Sequence, residues 1–198
     1  MDSRMKVVFE PSEVTLHVPR LFADASIEVI ADEQAKSLAT YYVENFTPLF
    51  LQGHAPLLLG ASGLGKTFIA AAIAKALAPG GSSGYNTPVL WVDVVEAFND
   101  LLDLRDFRQA GAYFKTKRRI KQTPLVVLDD VLQLREFDRI RELLFEVVNY
   151  RYAEKLPTIV TANIQNSGNV DTELVHGVGA PLARRLKEMS KDLVIVIQ

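Results

Sequence analysis

Eight residues, Gly60-Ala61-Ser62-Gly63-Leu64-Gly65-Lys66-Thr67, satisfy the pattern G-x-x-x-x-G-K-[ST] at every fixed position. The short apolar run Pro56-Leu57-Leu58-Leu59 precedes them and reads as a buried strand. Thr67–Ala78, rich in Ala and Ile, follows and reads as a packed helix. In that setting the glycines let backbone N–H groups converge on an anion, and the helix N-terminus adds its positive dipole end. Lys66 is predicted to reach the β- and γ-phosphates of a bound nucleotide, and the Thr67 hydroxyl to ligate Mg²⁺. The phosphates of a nucleotide are therefore expected against Gly60, Ala61, Ser62, Gly63, Leu64, Gly65, Lys66, Thr67 and Phe68.

Strands and helices alternate along the chain. Further strands are predicted at Val89–Val92, Leu125–Leu128, Thr158–Thr161 and Leu193–Ile197. Between them, Asp93 and Glu96 resemble a capping box opening a helix to about Leu104, and a basic helical stretch runs to Gln122. A long amphipathic helix spans about Asp138–Glu154, and another lies near Pro181–Met189 after a loop. An early helix follows the Asp32 cap, with Ala35, Leu38, Tyr42 and Phe46 on one face. This order implies an α/β fold with a parallel sheet covered on both faces. Residues 1–30, with Pro11 and Pro19, read as an N-terminal arm with short extended pieces, and 31–198 as one domain. The segment from Pro79 to Gly84 reads as a flexible loop.

The strand Leu125–Leu128 runs into Asp129-Asp130. A parallel strand presents its carboxyl end on the side where the phosphate loop opens. Asp129 is thus expected to hold the Mg²⁺ shell, and Asp130 to orient or deprotonate an attacking water. Asn163, just past Thr158–Thr161, could hold that water or the γ-phosphate, although an Asn capping a turn reads the same way. Arg184 and Arg185 are adjacent on the last helix and sit about 100° apart, so they do not share one task.

Composition narrows the setting. The chain has 198 residues, is 48% hydrophobic and 23% charged, and carries a net charge of -2, so any nucleic-acid site must be a local patch. One such patch runs from Arg105 to Lys121, where seven basic residues face a single acidic one, Asp106. Phe107, Tyr113 and Phe114 are interleaved there, the pattern of a backbone-tracking surface with rings for stacking; a solvated helix face with inward aromatics is the alternative. Lys117, Arg118 and Arg119 form its densest part. With no Cys, disulfides and thiolate metal sites are excluded. His17, His54 and His176 are dispersed, and no apolar run of 18 residues suggests a membrane span. A cytoplasmic protein without membrane association is expected.

Beyond these motifs, the chain resembles the AAA+ ATPases of the DnaC and DnaI helicase-loader group, with the related IstB transposition helpers. The resemblance covers about residues 19–197. It rests on Val18-Pro19-Arg20-Leu21-Phe22, Gly60–Thr67, Leu125–Asp130, and the stretch from Tyr150 to Asn163. It implies a P-loop core with a five-stranded parallel sheet of order 5-1-4-3-2, with Asn163 as sensor 1 and Arg185 as an arginine finger, Arg184 being the fallback. It further implies slow ATP hydrolysis stimulated by assembly or DNA, and self-association through that finger in trans. A replicative DNA helicase and single-stranded DNA are the implied partners. A transposition helper, or a nucleotide-gated interaction module with little hydrolysis, are the alternatives. Three departures accompany it. Asp130 stands where many members carry Glu, few residues precede Val18-Pro19, and no C-terminal lid is expected after the last strand.

Overall fold

The computed structural model describes residues 16–104, 110–132, 138–165 and 167–198. Its five strands are β1 (Leu57–Gly60), β2 (Val89–Asp93), β3 (Leu125–Asp129), β4 (Thr158–Asn163) and β5 (Val194–Ile197). They form one parallel sheet in the order β2-β3-β4-β1-β5, the expected 5-1-4-3-2 read from the other edge. The helices are α1 (Glu33–Glu44), α2 (Phe46–Gln52), α3 (Lys66–Leu77), α4 (Val94–Asp103), α5 (Ala110–Gln122), α6 (Asp138–Ala153), α7 (Val170–Val178) and α8 (Ala180–Ser190).

The period-2 geometry of each strand divides the core into two layers. Leu57, Leu59, Val126, Leu128, Val160 and Ala162 face one side, where α4, α6 and α8 pack. Leu58, Leu125, Val127, Ile159, Ile195 and Ile197 face the other, against α1 and the alanine-rich α3. Side chains buried on both faces explain why the strands read as unbroken apolar runs. Asp32 and Asp93 cap α1 and α4, accepting from the backbone of Ala35 at 2.8 Å and of Glu96 at 3.0 Å.

Several local expectations need correction. The first predicted helix does not run through Phe46. It stops at Glu44, Asn45 turns its side chain back onto the Tyr41 carbonyl, and α2 begins afresh. Pro48 gives the reason: inside one continuous helix it would lack the N–H owed to Glu44, but in the first turn of α2 that donor is not needed. The predicted loop before the last helix contains α7, in which Leu174 and Val178 are buried one turn apart. Gly177 lets that helix close on Leu132, whose Cδ2 would lie 2.2 Å from an added Cβ. Near the start, Arg20–Phe22 and Ile27–Val29 form 3₁₀ turns rather than extended pieces. Ala25 and Ile30 are buried there with the α3 residues, and Lys75 of α3 donates to the Ala23 carbonyl.

Arg151 of α6 is wholly buried. Its guanidinium donates to the carbonyls of Ile120, Lys121, Thr123 and Pro157, and to the Thr158 hydroxyl, so it ties the end of α5 to the start of β4. Burial pulls it down to about 9, which leaves it charged at neutral pH.

Candidate nucleotide site

The sheet order brings three strand ends together. Gly60 of β1 lies in register with Asn163 of β4, and β3, ending in Asp129, pairs with β4 on its other side. The loop between β1 and α3 therefore opens beside two carboxylates and an amide. Gly60 is required at its position, because a Cβ there would fall 2.5 Å from the Ile197 carbonyl oxygen. Gly65 caps α3 at φ 86°, a left-handed conformation that leaves the helix N-terminus bare.

Lys66 is nearly buried, and its Nζ donates to the Ala61 carbonyl at 2.6 Å, curling the side chain over the loop. Burial holds the ammonium below its ordinary value, while Asp130 and Asp129 pull it back up. The Thr67 hydroxyl donates to Asp129 Oδ1 at 3.1 Å across 62 residues of sequence. These are hard oxygen donors of the kind Mg²⁺ takes together with nucleotide phosphates. Among the described residues no group of three or more acidic or histidine side chains could hold a metal on its own. His54 sits at the foot of the fold, lowered chiefly by burial.

Asp129 is almost wholly covered, and burial raises its carboxyl above the ordinary value. Hydrogen bonds from Thr161 and Thr67 oppose that rise, while Asp93, its register partner on β2, adds to it. Asp130 adopts φ 60°, so the chain turns sharply after β3 and points the second carboxylate back towards β4. There Asn163 Nδ2 lies 2.9 Å from both carboxylate oxygens. Sequence reasoning missed one member of this group. Thr161 donates to Asp129 Oδ1 at 2.6 Å and accepts from the Asp130 backbone N–H at 2.8 Å, fixing both acids at once. Its signal was available: a hydroxyl two residues before Asn163, on the same face of β4 and flanked by Val160 and Ala162.

Arg185 is not part of this cluster. Its guanidinium carbon lies 5.0 Å from the Phe145 ring centre and 5.9 Å from that of Tyr152, both on α6, and Nη1 donates to the Pro181 carbonyl. Arg184 points elsewhere, towards Glu188 at 3.5 Å.

The basic stretch divides too. Lys117 and Lys121 pair with Glu146 at 2.7 and 3.3 Å, and Tyr113 is buried, so it cannot offer a ring for stacking as its sequence position suggested. Phe114, Lys115, Arg118 and Arg119 remain exposed on α5. Arg105, Phe107 and Arg108 lie outside the described residues.

Sheet order, phosphate loop and paired acids define a P-loop ATPase core of the AAA+ type. The family model described as "IstB-like ATP binding protein" matches residues 13–169, and the chain belongs to that family. The DnaC helicase loader has the same fold, with TM-score 0.76 and 23% identity over 91% of this chain and 100% of that one. DnaI gives TM-score 0.68 and 25% identity, with 91% of each chain covered. The replication initiator DnaA, solved with AMPPCP and single-stranded DNA, gives 0.69 and 17%, covering 89% of this chain and 50% of that one. No curated protein sequence matches the chain. Among the described residues no helix is long and apolar enough to cross a membrane.

Proposed function

We propose that this chain binds and hydrolyses ATP to load a replicative DNA helicase onto single-stranded DNA at the initiation of replication. The reading is supported above all by one observation: both the DnaC loader and DnaI overlay 91% of the chain, with TM-scores of 0.76 and 0.68. In this reading the loop Gly60–Thr67, with Phe68, holds the phosphates, and Lys66 leaves the Ala61 carbonyl for the β/γ oxygens. Mg²⁺, when bound, neutralises charge on those oxygens. Thr67 and Asp129, which already share a hydrogen bond, are the residues that would hold it. Asp130 takes the proton of the attacking water, and Asn163 lines that water up with the γ-phosphate. Arg185 belongs to the neighbouring subunit's reaction, donating charge in trans as it develops on the phosphoryl group. Single-stranded DNA lies along the exposed face of α5, with Phe114 stacking and Lys115, Arg118 and Arg119 on phosphates.

Membership of the IstB-like family favours a second reading, in which the same ATPase delivers a transposase to DNA. Co-purification separates them. The tagged chain, loaded with ATP analogue and Mg²⁺, should retain the replicative helicase and not a transposase. Retention of a transposase alone overturns the loader reading. A chain that does not hydrolyse ATP with single-stranded DNA present overturns the enzymatic part of both.

A further inference from the structure

We propose that Phe145 and Tyr152 are positioning residues for Arg185, forming an aromatic shelf on α6 that holds the guanidinium ready for the neighbouring subunit. This rests on the trans role assigned to Arg185 above and adds the device that would make it effective.

Phe145 and Tyr152 are seven residues apart, two turns of α6, and so lie on one face of the helix. α6 otherwise buries its large apolar side chains, Ile140, Leu143, Leu144, Val147 and Val148. These two rings are instead 38% and 39% exposed. Arg185 spans them, 5.0 Å from one ring centre and 5.9 Å from the other, within the range of cation–π attraction. Three further contacts fix the arrangement. Nη1 is held by the Pro181 carbonyl one turn back on α8. The Tyr152 hydroxyl is hydrogen-bonded to Glu188 of α8, and Glu188 also takes Arg184. The adjacent arginine is thereby drawn to a different partner, leaving the shelf to Arg185.

A trans donor needs this. An arginine on open surface has several freely rotating bonds, and the entropy of fixing them is charged to the transition state. A guanidinium already laid on two rings has lost most of that freedom beforehand, which is the substance of preorganised electrostatic catalysis. The half-exposed rings also explain why the shelf would sharpen on assembly. A neighbour covering them removes water, and the attraction between ring and cation strengthens when water is excluded. The occupant of this face is therefore a second copy of the chain, with its nucleotide phosphates brought to the positive end of the shelf.

The test is ATP hydrolysis by the full chain as a function of protein concentration, with saturating ATP, Mg²⁺ and single-stranded DNA. Phe145→Leu and Tyr152→Leu should lower the plateau rate about 10-fold together, as expected for an arginine that must be ordered anew in each turnover. Affinity of the isolated chain for a fluorescent ADP analogue should not change. Phe145→Tyr keeps a ring and should keep the plateau. Phe145→Met supplies a second ring-free variant in case Leu lowers the thermal midpoint. In the Arg185→Ala background the ring substitutions should have no further effect. A wild-type plateau in the ring-free variants, with Arg185→Ala inactive, overturns the shelf and leaves the finger standing. Additive losses overturn it too, since the rings would then act apart from Arg185. A wild-type plateau in Arg185→Ala overturns the trans role itself, and the shelf with it.

Discussion

Asn163 and Asp130 form a closed pair: one amide nitrogen, at the end of β4, sits 2.9 Å from each oxygen of the carboxylate that follows β3. Each group thus holds the other in place, and in the proposed reaction each would exchange that contact for water or phosphate. Because Gly60 stands in register with Asn163, the pair lies beside the start of the phosphate loop.

Asp130→Asn should bind ATP with Mg²⁺ at near wild-type affinity and hydrolyse it about 10²–10⁴-fold more slowly, the range of a lost general base. Asn163→Ala should also retain binding and lose about 10²-fold in rate, the size of one lost polar contact to the reacting group. Equilibrium binding and single-turnover hydrolysis, measured separately, check both. Asp130→Glu should not improve on the wild type. At φ 60° Asp is better tolerated than Glu, whose longer side chain gains nothing from the turn and incurs about 1 kcal/mol of backbone strain.

Thr161→Val keeps the shape of the buried side chain and removes its two hydrogen bonds to the acidic turn. The Asp130 N–H and one acceptor site of Asp129 are then left without their partner. Destabilisation of about 1–3 kcal/mol is expected, read from urea unfolding. Mg²⁺-dependent ATP affinity should fall as well. Thr161→Ser should restore both, because only the hydroxyl matters here.

Asp129→Asn should be at least as stable as the wild type at pH 7 without nucleotide. The sign follows from burial, which raises the folded carboxyl above the ordinary value of 3.8. The folded state then holds its proton at pH values where the unfolded chain has released it, so stability is lost as pH rises from that value through the raised one. Asparagine carries no such penalty and still accepts from Thr67 and Thr161. Thermal midpoints of the two proteins should converge as pH falls towards 4, whereas Mg²⁺-dependent nucleotide binding should be lost in Asp129→Asn at every pH.

Joint replacement of Lys115, Arg118 and Arg119 by Ala should weaken single-stranded DNA binding and flatten its salt dependence. The slope of log affinity against log salt should fall by about 0.7 for each phosphate contact removed. Phe114→Ala should lower affinity without changing the slope. Lys117→Ala should leave affinity and slope nearly unchanged, since Lys117 is already paired with Glu146. Fluorescence anisotropy over a salt series checks all three.

The sheet was legible because β1, β3 and β4 are buried on both faces and each is followed by a helix, a pattern with few alternatives. The phosphate loop was legible for a different reason: its glycines are demanded by backbone geometry, as the Ile197 carbonyl against Gly60 illustrates. Features set by distant partners were not. Nothing near Tyr113 in sequence indicates that its ring turns inward, and nothing near Lys117 indicates Glu146, 29 residues away. The helix α7 hides behind a polar first turn and an internal glycine, although Val170, Leu174 and Val178 keep helical spacing. Thr161 was overlooked because a threonine in a strand is unremarkable until two acids are found against its hydroxyl.

The position of β1 has a consequence for how the chain acquires its activity during synthesis. This strand carries the phosphate loop, yet its two neighbours in the sheet are β4 and β5, made roughly 100 and 137 residues later. Pairings of such long sequence separation are slow to close and form only once both partners have been translated. Until Val194–Ile197 emerges, Gly60 lacks the Ile197 carbonyl at its back, and β1 has an open edge. A nascent chain lacking β5 should therefore bind nucleotide more weakly than the complete fold. Mutations in β5, far from any phosphate contact, should consequently register first as poor yield of nucleotide-bound protein from the ribosome.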